Sequence, residues 1–204
     1  VISRGLASKQ RAAESLHSNS TLIRRGQTDR TLTLMTQPHL ARQLVTDFVR
    51  QFDACAAEGL AHLTRTTLGS DYKWRGMYPF GELHGPGEVI DQFWIPLRRA
   101  LTGLQRREDI FFAGDNNVEG RSGTWTCSMG HFMGLFDADW LGIPATGRMA
   151  FLRYAEFYHV VDGQIQESAL FCDLIGLMQQ AGVYPLPPMT GTYFVYPGPR
   201  THDG

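Results

Sequence analysis

The feature that most constrains this chain is a change of period near its middle. From Thr124 to Phe136 the odd positions read Trp125, Cys127, Met129, His131, Met133 and Leu135, while the even positions alternate small and aromatic residues with Thr124, Thr126 and Ser128. A repeat of two belongs to an extended strand, whose successive side chains point to opposite faces. The odd set is the more apolar, which predicts that it faces the core. Arg148 to Val161 and Gln164 to Cys172 read as two further strands. Asp162-Gly163 joins them, a pair favoured in two-residue hairpins because both positions need positive φ. Gln105 to Asp115 reads as another strand, and Tyr72 to Phe80 as the first of the sheet.

Upstream the period is helical. Leu40, Leu44, Val45, Phe48, Val49 and Phe52 recur at three- and four-residue spacing and predict an amphipathic helix from His39. A second helix is expected around Gly59 to Leu68, with Gly69 as its stop. A third begins near Pro86 and carries Val89, Ile90, Phe93, Trp94, Leu97 and Leu101 on one face. Pro96, which lacks an N–H, predicts that this helix bends or divides. Asp173 stands where an N-cap is needed for a last helix through Leu174, Ile175, Leu177 and Met178, ended by Gly182 and Pro185. The order implies an α+β class: helices on one side of a strongly curved antiparallel sheet, with a pocket between the layers.

A chain of 204 residues, 43% of them hydrophobic, has material for one core. That domain is expected at 35–183. Residues 1–34, rich in Arg and beginning at Val1, read as an extension outside the fold, and 184–204 as a Pro- and Gly-rich tail or linker. A net charge of −1 disfavours nucleic acid and anionic membrane surfaces, which are held mainly through Lys and Arg. A small hydrophobic ligand or a protein partner fits better. Cys55, Cys127 and Cys172 are widely spaced and odd in number, which suggests neither a disulfide framework nor a zinc site, so a reducing, cytoplasmic setting is the default expectation. No apolar run reaches the roughly 20 residues needed to cross a bilayer. No metal spacing and no phosphate-binding glycine loop is present, so neither metal nor cofactor is expected.

Three stretches in order, Gly142-Ile143-Pro144-Ala145-Thr146-Gly147-Arg148, Glu156-Phe157-Tyr158 leading into Val161-Asp162-Gly163-Gln164-Ile165, and Asp173 to Gly182, resemble the SnoaL-like polyketide cyclases of the NTF2-like superfamily. The resemblance covers about Thr36 to Gly182. It implies a cone-shaped α+β barrel with a deep apolar pocket, usually dimerised through the outer sheet face. The ending from Pro197 to Gly204 is similar to the connector of tandem relatives, which would make a second domain the partner instead. The resemblance also implies an Asp acid/base on the strand after the hairpin, yet Leu170 occupies that place. The family's pocket His aligns with Glu156 and its pocket Asn with Trp74.

Glu156 is the leading acid/base candidate, because it lies mid-strand among Ala155, Phe157 and Tyr158 and is expected to be buried. The alternative pairs it with Arg153 or Arg148, or buries it in a dimer interface. Tyr154 shares its face and could orient a substrate oxygen. His131 lies among Trp125, Met129 and Met133 and is a second proton-transfer candidate or an enclosed core histidine. Trp74, Tyr78, Met129, Ser168 and Leu170 form the expected substrate lining. His84, in the loop entering the third helix, is a weaker candidate near a pocket mouth. Together these residues suggest a cofactor-independent cyclase, isomerase or lyase acting on a hydrophobic carbonyl compound, or a non-catalytic binding or dimerisation domain.

Overall fold

The computed structural model describes residues 38–118, 122–188 and 190–191, so the expected extension at 1–34 and most of the expected tail lie outside the described residues. Helix α1 spans 38–54. Its buried stripe is Ala41, Val45, Phe48 and Phe52, whereas Leu40 is 62% exposed. At 3.6 residues per turn Leu40 falls roughly 100° from the centre of that stripe, which corrects its place on the apolar face. Helix α2 (Ala57–Thr67) passes directly into strand β1 (Leu68–Gly76). Leu68 is already extended, so Gly69 belongs to the strand and does not act as a stop.

Strand β2 (Glu82–His84) leads into α3 (Gly85–Val89), a π-helical turn (Ile90–Trp94) and α4 (Ile95–Ala100). The wide turn immediately precedes Pro96. A proline ring in a regular α-helix collides with the carbonyl four residues back, and the Ile95 N–H reaching to Ile90 O opens the turn at that point. Leu101, expected in the helix, begins strand β3 (Leu101–Asn116). Strands β4 (Gly123–Phe136), β5 (Arg148–Val161) and β6 (Gln164–Cys172) follow, then α5 (Leu174–Gln180). Asp173 caps α5 by accepting from Gly176 N–H at 2.8 Å. Asp162 and Gly163 have φ of 49° and 74°, the backbone expected of the hairpin.

The six strands form one sheet in the order β2-β1-β6-β5-β4-β3. All neighbours run antiparallel except β1 and β6, which are parallel. The sheet is therefore mixed instead of antiparallel, and open instead of a closed barrel, with β2 and β3 at its edges. Strand direction is dictated locally only where a tight turn joins two strands. No such turn joins β1 to β6.

The face assignment on β4 also reverses. The even residues Thr124, Thr126, Ser128, Phe132 and Phe136 are buried against the helices, while odd residues Met129 and Leu135 are 40% and 39% exposed on the outer face. The cause lies in the curvature. The β3–β4 register shifts at Thr102/Gln105 and Glu108/Ile110, and such irregularities bend a strand. A Cβ at Gly130 would collide with the Arg107 and Glu108 backbone, and one at Gly134 would press on Leu101. The concave side needs small residues at these points, so the larger apolar residues fall outside. Among the described residues no helix is long and apolar enough to cross a membrane.

Candidate functional site

The concave face of the sheet carries a polar cluster where a core would ordinarily be apolar. Period two places Tyr154, Glu156 and Tyr158 of β5 on that face, all buried. Glu156 lies opposite Ser128 of β4 and Leu170 of β6, and Tyr158 opposite Ser168. Arg106, turned inward between the two register shifts of β3, places Nη1 2.5 Å from Glu156 Oε2 and Nε 2.9 Å from Asp53 Oδ2 of α1. The Arg106 and Glu156 side chains are 5% and 3% exposed. Aromatic rings enclose the guanidinium: its Cζ lies 4.9 Å from the ring centre of Phe132, 5.1 Å from Tyr154 and 5.5 Å from Trp94. A flat cation accepts such stacking where an ammonium fits less well.

Burial alone would lower the Arg106 pKa, but attraction to Glu156, Tyr158 and Asp53 outweighs it and holds the guanidinium well above its usual value. The guanidinium therefore stays protonated. The phenols are raised as well. Tyr158 is raised well above its ordinary value by burial and then by the charge of Glu156, with which its side chain is hydrogen-bonded. Tyr154 is pushed up to about 12 by burial, partly offset by Arg106. Tyr72 is raised by burial, against which its 2.5 Å hydrogen bond to Ser168 Oγ works. These hydroxyls stay protonated at neutral pH and can donate hydrogen bonds. Ser128 Oγ extends the cluster, donating to Glu108 Oε2 at 2.8 Å and lying 3.0 Å from Tyr154 Oη.

A void borders this cluster. Its walls include Phe48 and Phe52 of α1, Tyr72 and Trp74 of β1, and Glu156 and Tyr158 of β5. Its volume is about 20 Å³, room for about one water molecule.

The structure brings together Glu156, Tyr154, Trp74, Ser168 and Leu170 on the concave face. It does not bring the other expected residues there. His131 and Met129 stand on the convex face because β4 is turned the other way, and His131 Nδ1 lies 3.1 Å from Asp109 Oδ2. Tyr78 is 89% exposed, since β1 ends at Gly76 and the chain turns through 77–80. His84 is exposed beside Glu82. Neither Arg153 nor Arg148 pairs with Glu156: Arg153 binds Asp173 at 2.5 Å on the other face. Sequence reading missed Arg106, Asp53, Tyr72 and Tyr158. Tyr158 was within reach, because counting by two from Tyr154 through Glu156 arrives at it. Arg106 was not, because two irregularities in β3 decide its direction. No cluster of three or more His, Cys, Asp or Glu that could hold a metal occurs among the described residues.

The convex face exposes apolar residues beside the Arg153–Asp173 pair. Ile110, Phe112 and Phe171 are 52%, 55% and 53% exposed. With Met129, His131 and Arg153, two of them line a groove of about 540 Å³.

The sequence profile of the SnoaL-like polyketide cyclase family matches residues 46–181. The chain belongs to that family. Solved structures share its fold at low identity. A protein from Jannaschia sp. CCS1, described as a SnoaL-like polyketide cyclase, is 22% identical over 72% of this chain and 94% of its own, with a TM-score of 0.50. AclR from Streptomyces galilaeus, described as a hydroxylase, is 15% identical over 72% of this chain and 85% of its own, with a TM-score of 0.56. An NTF2-like protein from Burkholderia thailandensis E264 is 18% identical over 68% and 94%, with a TM-score of 0.50. No curated protein matches the chain.

Proposed function

We propose that this SnoaL-like domain holds a small hydrophobic carbonyl compound against Glu156 and moves a proton on it with its own side chains, in a cyclisation or isomerisation. The observation that carries this reading is a carboxylate 2% exposed on the wall of a largely aromatic void, beside phenols that stay neutral. Glu156 lies 2.5 Å from the Arg106 guanidinium, and in its carboxylate form it accepts the proton. The substrate carbon is one acidified by a neighbouring carbonyl. Tyr158 or Tyr72 donates to the enolate oxygen as charge develops there. A water-sized void does not admit such a ligand unchanged, so the reading requires the wall formed by Phe48, Phe52 and Val89 to repack on binding.

The test is a thermal-shift panel of hydrophobic ketones and esters, followed by mass spectrometry of each stabilising compound for product. Glu156→Gln is expected to reduce turnover at least about a hundredfold while changing affinity only a few-fold. Undiminished activity in that variant removes Glu156 from the mechanism, and a panel without any stabilising compound ends the binding reading as well.

A second reading is a binding domain without chemistry. Leu170, 0% exposed where the resemblance puts a catalytic carboxylate, favours it. It expects saturable stabilisation without product. In either reading the proposed partner is a second copy of the chain packed on the apolar convex face. The proposed setting is the cytoplasm, in keeping with Cys55, Cys127 and Cys172, all free thiols.

A further inference from the structure

Trp74 is buried with a polar atom that the proposed reaction leaves unused. The residue is 1% exposed, and its indole Nε1–H has no acceptor among the described residues. A sealed donor of this kind loses its hydrogen bond to water and gains none in return. The ring is not free to turn toward one. Its Cζ3–Cη2 tip rests over Gly76, where an added Cβ would collide with both atoms. Phe93 and Phe80 hold it from the sides at centroid distances of 5.2 and 6.0 Å. Trp74 lines a void together with Glu156, Tyr72 and Tyr158. That void measures about 20 Å³, and a water molecule needs about 10–15 Å³ with two to four polar partners.

We propose that the void is an oxygen site. In the free protein it holds one water, which accepts from Trp74 Nε1–H and donates to the Glu156 carboxylate. On binding, the ligand's carbonyl or hydroxyl oxygen takes the water's place and keeps the hydrogen bond from Trp74. The chemistry selects a neutral oxygen: a ligand carboxylate would set a second negative charge beside Glu156, and a hydrocarbon would leave the indole N–H unpaired again. The exchange rests on the carbonyl-binding reading, whereas the water does not.

The experiment is NMR of the full chain labelled with ¹⁵N, with the Trp74 Nε1–H peak assigned by its loss in Trp74→Phe. The free protein is expected to show a cross-peak between this proton and a long-lived water. Titration with acetophenone is expected to erase that cross-peak and shift the Nε1–H resonance. Ethylbenzene, the same shape without the oxygen, cannot replace the water's hydrogen bond and is expected to bind beside the water, leaving the cross-peak in place. Trp74→Phe is expected to lose about tenfold in affinity for acetophenone and none for ethylbenzene. Absence of the water cross-peak in the free protein overturns the water site whatever acetophenone does. A cross-peak that persists when acetophenone is bound, or equal affinity in Trp74→Phe, overturns the exchange and leaves the carbonyl reading standing. A water cross-peak with no acetophenone binding overturns the exchange and counts against that reading too. The wild-type spectra decide between these outcomes even where Trp74→Phe fails to fold.

Discussion

The two faces of this sheet both depart from a simple rule of apolar inside and polar outside. The concave face, covered by α1 to α4, hides Arg106, Glu156, Ser128 and three tyrosines. The convex face shows Ile110, Phe112, Met129 and Phe171 to solvent. Apolar content therefore does not identify the inner side of a sheet that bends this strongly. Inside, the buried cation persists because it is paired, Arg106 lying between Asp53 and Glu156. Outside, apolar residues persist where another surface can cover them.

The largest effect should come from breaking the inner pairing. Arg106→Met leaves Glu156 as an uncompensated buried charge and is expected to cost about 3–5 kcal/mol in urea unfolding. The double variant Arg106→Met with Glu156→Leu should recover much of that loss. If the double is no more stable than the single, charge pairing is not what supports the concave face. An intermediate effect is expected in alkali. The unfolded chain releases tyrosine protons near pH 10, whereas folded Tyr154 keeps its proton to about 12, and Tyr72 and Tyr158 are also raised. A raised folded value stabilises the protein below the unfolded pKa and loses that contribution as pH climbs toward the folded one. Stability should thus decline from pH 10 upward, and Tyr154→Phe should flatten the decline. An unchanged slope in that variant would show that Tyr154 titrates as in the unfolded chain. The smallest effect belongs to the convex face. Phe171→Asp should change stability by no more than about 0.5 kcal/mol, and it should dissociate the proposed dimer in sedimentation equilibrium. A loss comparable to that of Arg106→Met would mean that the convex face is as much a core as the concave one.

Much of this was legible in the chain. The change from a period of 3.6 to a period of two, the Asp162-Gly163 hairpin, the Asp173 cap and the disturbance at Pro96 are local matters, decided by residues adjacent in sequence. Glu156 could be found the same way, from its place in an alternating strand. Its partner could not. Arg106 is 50 residues distant in the chain, and its inward direction depends on irregularities in β3 that carry no signature of their own. Tyr78 failed for a related reason, because the end of β1 is set by its neighbours in the sheet.

The amino-acid sequence by itself determined which segments extend, which coil and which residues share a face, since alternation and helical periodicity follow from backbone geometry alone. Only the tertiary structure decided which of two equivalent faces turned inward, which way β1 ran beside β6, and which cation met Glu156. Those choices depend on where helices land and how sharply a sheet bends, and such contacts form between residues whose separation along the chain leaves no local pattern.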